Sequence, residues 1–95
     1  MTKKTEINVP ALDSLAYNQV VPLSALKTGQ CGVIARLEGG RGLLSRMASM
    51  GFTPGVDVLV IQNFGYGPLI ACVRDARIAL GRSEASRILV RARRT

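Results

Sequence analysis

The chain has 95 residues, 13 Lys and Arg against 6 Asp and Glu, and a formal net charge of +7. That length suits one domain, and a hydrophobic content of 47% is too high for a disordered chain. The absence of His removes the commonest metal ligand and general base, and an aromatic content of 4% leaves the core to aliphatic side chains. Two Cys, Cys31 and Cys72, are too few for a disulfide framework, and no signal peptide precedes them. They read as reduced thiols of a cytoplasmic protein. No apolar run reaches the roughly 18 residues of a membrane-spanning helix.

Residues 1–20 show no sustained period, and Pro10 breaks any helix across them. They are expected to form an extended or disordered N-terminal arm that docks through Leu12, Leu15 and Tyr17, ahead of a domain spanning 21–95. In "VPLSALKTG", Ser24 is placed to cap a single helical turn that Gly29 closes. "CGVIARL" alternates as a half-buried strand, with Cys31, Val33, Ala35 and Leu37 on one face and Gly32, Ile34 and Arg36 on the other. The Gly-rich "EGGRG" reads as a loop.

Leu43, Met47 and Met50 then recur at helical spacing, with Arg41, Ser45, Arg46 and Ser49 on the other side. Gly51 stands where a left-handed cap is needed, and Phe52 is placed to fold back onto Met47 as in a Schellman stop. Thr53-Pro54-Gly55-Val56 suits a type II turn. "VDVLVIQNF" reads as a strand and "GYGP" as a loop. "LIACVRD" and "ARIAL" form a hairpin that turns near Asp75-Ala76, and Ser83 is placed to cap one turn. "RILVRA" alternates as the last strand, which puts Arg87 and Arg91 on one face and Ile88 and Val90 on the other. About five short strands with one short inserted helix predict a small, mainly β, closed barrel.

Three runs carry a resemblance: "VPLSALKTGQCGVIARLEG", "LLSRMASMGFTPGVDVLVIQ" and "GPLIACVRDARIALGRSEASRILV". Together they resemble the FeoA domain over residues 21–91, most specifically at Gly51, Pro54-Gly55 and "IALGRSEASRILV". The resemblance implies an SH3-like β-barrel of about five strands with one short helix. It also implies a small cytoplasmic accessory protein of ferrous iron uptake that binds and modulates FeoB, a membrane transporter with a cytosolic GTP-binding domain. Such a protein would be peripheral at the inner membrane through that partner, and weak homo-oligomers are compatible with it. Two departures stand out: the family commonly has Gly where this chain has Asp75-Ala76, and residues 1–20 have no counterpart in short members.

No catalytic residue, metal ligand set or cofactor site is expected. An enzyme would need an organised acid, base or nucleophile, and none is signalled. Cys31 and Cys72 alone make a poor soft-metal site and read as buried apolar residues. Met47 and Met50 read as core. Glu38, Asp57 and Asp75 would form a hard-metal site only if the fold gathered them. "LEGGRG" lacks the Gly-Lys-Ser/Thr ending of a P-loop. By elimination, the partner-binding surface is assigned to Glu38, Arg41, Arg46, Arg87 and Arg91, with Gly51, Pro54 and Gly55 structural. Two alternatives stay open. One is a basic barrel that binds nucleic acid through residues such as Arg74, Arg77 and Arg93. The other is a metal-responsive regulatory or assembly module.

Overall fold

The computed structural model describes residues 19–93. The arm assigned to residues 1–20, with Leu12, Leu15, Tyr17, Lys3 and Lys4, lies outside them apart from Gln19 and Val20, and so do Arg94 and Thr95. The described chain has six strands: β1 (Val20–Pro22), β2 (Cys31–Leu37), β3 (Asp57–Gln62), β4 (Leu69–Val73), β5 (Ala76–Leu80) and β6 (Ile88–Ala92). Two α-helices interrupt them, α1 (Arg41–Ser49) and α2 (Arg82–Ser86). A 3₁₀ turn spans Leu23–Ala25.

The strands form one antiparallel sheet in the order β1-β6-β2-β3-β4-β5. It folds around a single core of Leu23, Leu26, Ile34, Met47, Phe52, Val58, Val60, Leu69, Val73, Leu80, Ile88 and Val90. This is the SH3-like arrangement expected, with two corrections. There are six strands rather than about five, because Val20–Pro22 pairs with β6. No backbone ladder joins β1 to β5, so the barrel is not closed by hydrogen bonds.

Side chains alternate about the sheet. Val58 and Val60 of β3 face inward and are buried, while Asp57 and Leu59 face outward. In β2 the inward residues are Gly32 and Ile34. An irregularity between Ile34 and Arg36 then turns Leu37 inward, to sit opposite Ile88. Gly32 has a steric reason to be glycine. A Cβ there would lie 2.7 Å from the Arg91 carbonyl oxygen, too close for β6 to keep its place.

The helix stop follows from backbone bonds. Phe52 N–H donates to Met47 O at 3.0 Å and Gly51 N–H to Ala48 O at 3.0 Å, the paired bonds of a Schellman motif. Gly51 has φ +102°, which an L side chain adopts only under strain. Met47 and Phe52 both enter the core, whereas Leu43 and Met50 pack at its margin. Val56 N–H donates to Thr53 O at 3.2 Å, closing the turn through Pro54-Gly55. Gly55 N–H then donates to Ile34 O at 2.8 Å, and Ile34 N–H to Val56 O at 3.0 Å. The short helix is thus tied directly to the middle of β2.

Three local expectations are corrected. Ser24 caps nothing: the turn starts two residues earlier, from Pro22, without a side-chain cap. Ser83 is not a cap either. Gly81 occupies that position and its N–H donates to Glu84 Oε1 at 3.1 Å. The β4–β5 hairpin turns at Arg74-Asp75, with φ 50° and 65°, and Ala76 already belongs to β5.

Gly51→Val is expected to lower stability by about 1 kcal/mol or more, because a β-branched residue is strained at positive φ. The would-be Cβ meets only Arg74 Cδ at 3.4 Å and Val73 Cγ1 at 3.6 Å, so strain rather than collision would account for the loss. Urea denaturation checks this, and an unchanged midpoint would rule out the strain.

Candidate functional site

The five residues assigned to the partner surface do not form one patch. Four cluster around α2 and the turn into α1. Glu38 follows β2, and its N–H donates to Arg87 O at 2.9 Å. Its carboxylate pairs with Arg36 Nε at 3.3 Å. Arg46 donates through Nη2 to Glu84 Oε2, which links α1 to α2. Arg41 is the first residue of α1 and is exposed.

Arg87 is the correction. It terminates α2 with φ −98° and ψ −2°, and its N–H donates to Glu84 O at 3.0 Å. It is not on β6, so it does not share a strand face with Arg91. Ile88 and Val90 do point inward. Arg91 stands on the outer face of β6, opposite Val33 on one side and Val20 on the other. Among the described residues no carboxylate pairs with Arg41, Arg87 or Arg91.

The start of α1 is unfavourable for a helix taken alone. Gly40 caps it without a side-chain bond, Gly42 lies in the first turn, and no acid is there to meet the positive end of the helix dipole. Arg41 stands where an acid would be preferred. The helix is held by Met47 in the core, with Leu43 and Met50 beside it. The choice of residues at its start is therefore not made by helix stability.

Neither Cys belongs to the core. Cys31, Leu59 and Cys72 form a row across the outer face of β2, β3 and β4, in register. Both thiols are half-buried and Leu59 is 38% exposed. The intervening strand puts the two Cys roughly 10 Å apart, beyond the reach of an intramolecular disulfide. Glu38, Asp57 and Asp75 are also dispersed. Asp57 pairs with Arg93 at 3.0 Å, Glu38 with Arg36, and Asp75 lies in the hairpin. Among the described residues no three potential ligands come together to hold a metal.

Two features passed unnoticed in the sequence. The first is Asn63, at the end of β3. Its Nδ2 donates to Ser24 O at 3.0 Å and to Leu26 O at 2.6 Å. Its Oδ1 accepts from Arg82 Nη1 at 2.8 Å and from Gly65 N–H at 3.0 Å. Its own N–H donates to Thr28 Oγ1 at 2.9 Å. The second is the place of Phe64: β3 ends at Gln62 rather than running through Phe64, so Phe64 joins Tyr66 in the loop and both rings are exposed. The signal available in "NFGYGP" is Tyr66 between Gly65 and Gly67 with Phe64 just before Gly65, a stretch with no strand face to turn either ring into the core.

Comparisons with known proteins place this geometry. A family model described as the FeoA domain matches residues 21–92. A protein assigned as Fe(2+) transport protein A in Methanocaldococcus jannaschii is 35% identical over 69 residues, covering 73% of this chain and 83% of that one. A crystal structure of the iron uptake regulatory protein FeoA superposes with a TM-score of 0.75 at 36% identity, covering 79% of this chain and 100% of that one. The FeoA of Stenotrophomonas maltophilia, described as a prokaryotic SH3 domain protein and solved with zinc, gives 0.68 at 27% identity, covering 78% and 96%. A manganese-dependent transcriptional repressor gives 0.72 at 24% identity over 42% of its length, a likeness of fold alone.

Asn63→Ala is expected to destabilise the protein by about 1–3 kcal/mol, since it leaves two part-buried carbonyls and the Arg82 guanidinium without their partner. Thermal melting checks this, and a loss within about 0.5 kcal/mol, the range of an ordinary surface change, would mean that the amide bonds contribute little.

Proposed function

Because the chain belongs to the FeoA family, we propose that it serves ferrous iron transport as an accessory protein, by docking on the cytosolic GTP-binding region of a FeoB-like membrane transporter. The observation that carries this reading is the family match, which spans nearly all of the described residues, 21–92. The chemistry on the surface agrees with a binding role. The carboxylates Glu38, Asp57 and Glu84 are each engaged by an Arg at separate places, so the described residues offer cations to a partner rather than a cluster of acids to iron.

Glu38, Arg41, Arg46, Arg87 and Arg91 remain the proposed contact surface, now with distinct roles. Arg46 and Glu38 brace the turn into α1. Arg41, at the start of α1, and Arg87, at the end of α2, present their charge outward, and Arg91 extends the positive surface along β6. An acidic face of the transporter would meet them, with charge setting chiefly the rate and orientation of encounter. Regulation then needs only unequal affinity for the transporter's states. A protein that binds one nucleotide state more tightly shifts the transporter toward it by that difference and no more.

The test is binding kinetics on lipid nanodiscs that carry the full-length transporter, with and without guanine nucleotides. Arg41→Glu/Arg87→Glu is expected to slow association several-fold at low salt without lowering the melting midpoint, since an acid suits the first turn of α1. Lys3→Glu/Lys4→Glu is expected to matter less. Equal effects, or a loss confined to the lysine variant, would place the contact elsewhere. Absence of binding in every nucleotide state would refute the proposed function.

A further inference from the structure

Phe64 and Tyr66 are 63% and 74% exposed, and they stand on the six-residue segment 63–68 between β3 and β4. In a chain with 2 Phe and 2 Tyr, half the aromatic side chains are held out in solvent. The rings lie beside each other, centroids 6.2 Å apart and tilted by 36°. They form a single apolar projection of two rings.

The projection is braced. Asn63 ties the first residue of the loop to the 3₁₀ turn through Ser24 O and Leu26 O, and to α2 through Arg82. Asn63 Oδ1 also accepts from Gly65 N–H, which fixes the backbone between the two rings. Aromatic side chains that are ordered before contact lose little entropy on binding, and this makes them efficient anchors in protein interfaces. Nothing in the barrel itself requires them there, because both rings lie outside the core.

Charge around the projection narrows the occupant. The described carboxylates lie away from it or are engaged. Asp57 is at the opposite end of β3, Asp75 at the opposite end of β4, Glu38 pairs with Arg36, and Glu84 with Arg46. Among the described residues the cations on its side are Lys27, before β2, and Arg82, which is itself turned onto Asn63. Two rings and so few cations fall short of the combined signals that hold a protein stably on lipid. They suit a concave apolar pocket with an acidic lip on a protein.

We infer that the Phe64–Tyr66 projection is the anchor by which this chain docks, inserting into an apolar, acid-lipped pocket on the cytosolic region of the transporter. The inference takes its partner from the proposed function and adds the second contact, at the other end of α2 from Arg87. Charge at Arg41 and Arg87 governs encounter, whereas the buried rings govern how long the complex lasts.

The test uses the full chain, as wild type, Phe64→Ser/Tyr66→Ser and Tyr66→Phe. Each is measured on nanodiscs that carry the full-length transporter and on nanodiscs of the same phosphatidylglycerol-containing lipid without it. Wild type is expected to bind only the loaded discs. The double serine variant should keep its melting midpoint and weaken binding by about ten-fold or more, mainly through faster dissociation. Tyr66→Phe should bind nearly as wild type. Equal binding by wild type and the double serine variant would overturn the anchor and leave the proposed function standing. Absence of wild-type binding to the loaded discs would overturn both. Loop-dependent binding to empty discs, or loop-dependent self-association in sedimentation, would overturn the anchor in favour of lipid or a second copy.

Discussion

The Asn63 carboxamide joins three segments that the sheet leaves unjoined. A six-stranded sheet whose outer strands β1 and β5 do not pair has a seam, and along a seam backbone donors and acceptors must find other partners. Here the 3₁₀ turn after β1 and the helix after β5 approach one another, and Asn63 enters between them from the end of β3. An amide suits the place because it offers two donors and an acceptor on one planar group. Its donors meet the Ser24 and Leu26 carbonyls and its acceptor meets Arg82. Neither Asp, with no donor, nor Leu, with neither donor nor acceptor, could satisfy all three. The core of aliphatic residues drives collapse and packs Leu23 against the same core as Ala85, and this one side chain adds the polar link between the 3₁₀ turn and α2 across the gap.

What was legible in the sequence was what is decided locally. Gly51-Phe52 after Met47 encodes a stop through bonds that span five residues, and Thr53-Pro54-Gly55-Val56 encodes a turn that spans four; both stand in the structure with those bonds. Alternation placed Ile88 and Val90 inward for the same reason, because a strand's period belongs to its own backbone. The misjudged features all depend on remote partners. Ser24 and Ser83 have the right chemistry for caps, yet packing begins each turn elsewhere. Arg87 looked like a strand residue until α2 extended to meet it. Cys31 and Cys72 looked like core residues because a thiol is apolar, and only the register with Leu59 shows that they face outward. Of the candidate surface, the outward position of Arg41 was readable from the helical stripe, but the bracing of Arg46 by Glu84 was not, since 38 residues separate them.

Charge on this protein is arranged by subtraction. Asp57, Glu38 and Glu84 each engage one Arg, and each pair ties together neighbouring pieces of the fold: β3 to the end of β6, the end of β2 to itself, and α1 to α2. These pairs are solvent-exposed and contribute little stability individually. Their consequence is where the remaining positive charge lies. With these three acids engaged, Arg41, Arg87 and Arg91 are among the exposed cations, with Arg74 and Arg77, that have no carboxylate partner among the described residues. The unfavourable placement of Arg41 at the positive end of α1 is tolerable because Met47 and the Gly51-Phe52 stop hold that helix without help from its first turn.

The two surfaces implicated in binding are joined by α2, and this constrains any partner. Its first residue, Arg82, reaches Asn63 and hence the loop with Phe64 and Tyr66. Its third, Glu84, reaches Arg46 on α1. The residue that ends it, Arg87, accepts from Glu38 N–H at the Gly-rich turn. Five helical residues span only about 7.5 Å, and a segment so short and so tied at both ends has no internal joint at which to bend. The aromatic projection and the basic turn are therefore presented at one fixed spacing. A partner that engages both must offer its pocket and its acidic face at that same spacing, so a rearrangement within the partner that changes the distance between them would forfeit one contact. That is a physical route by which a rigid module without catalytic groups can favour one conformation of a larger protein over another.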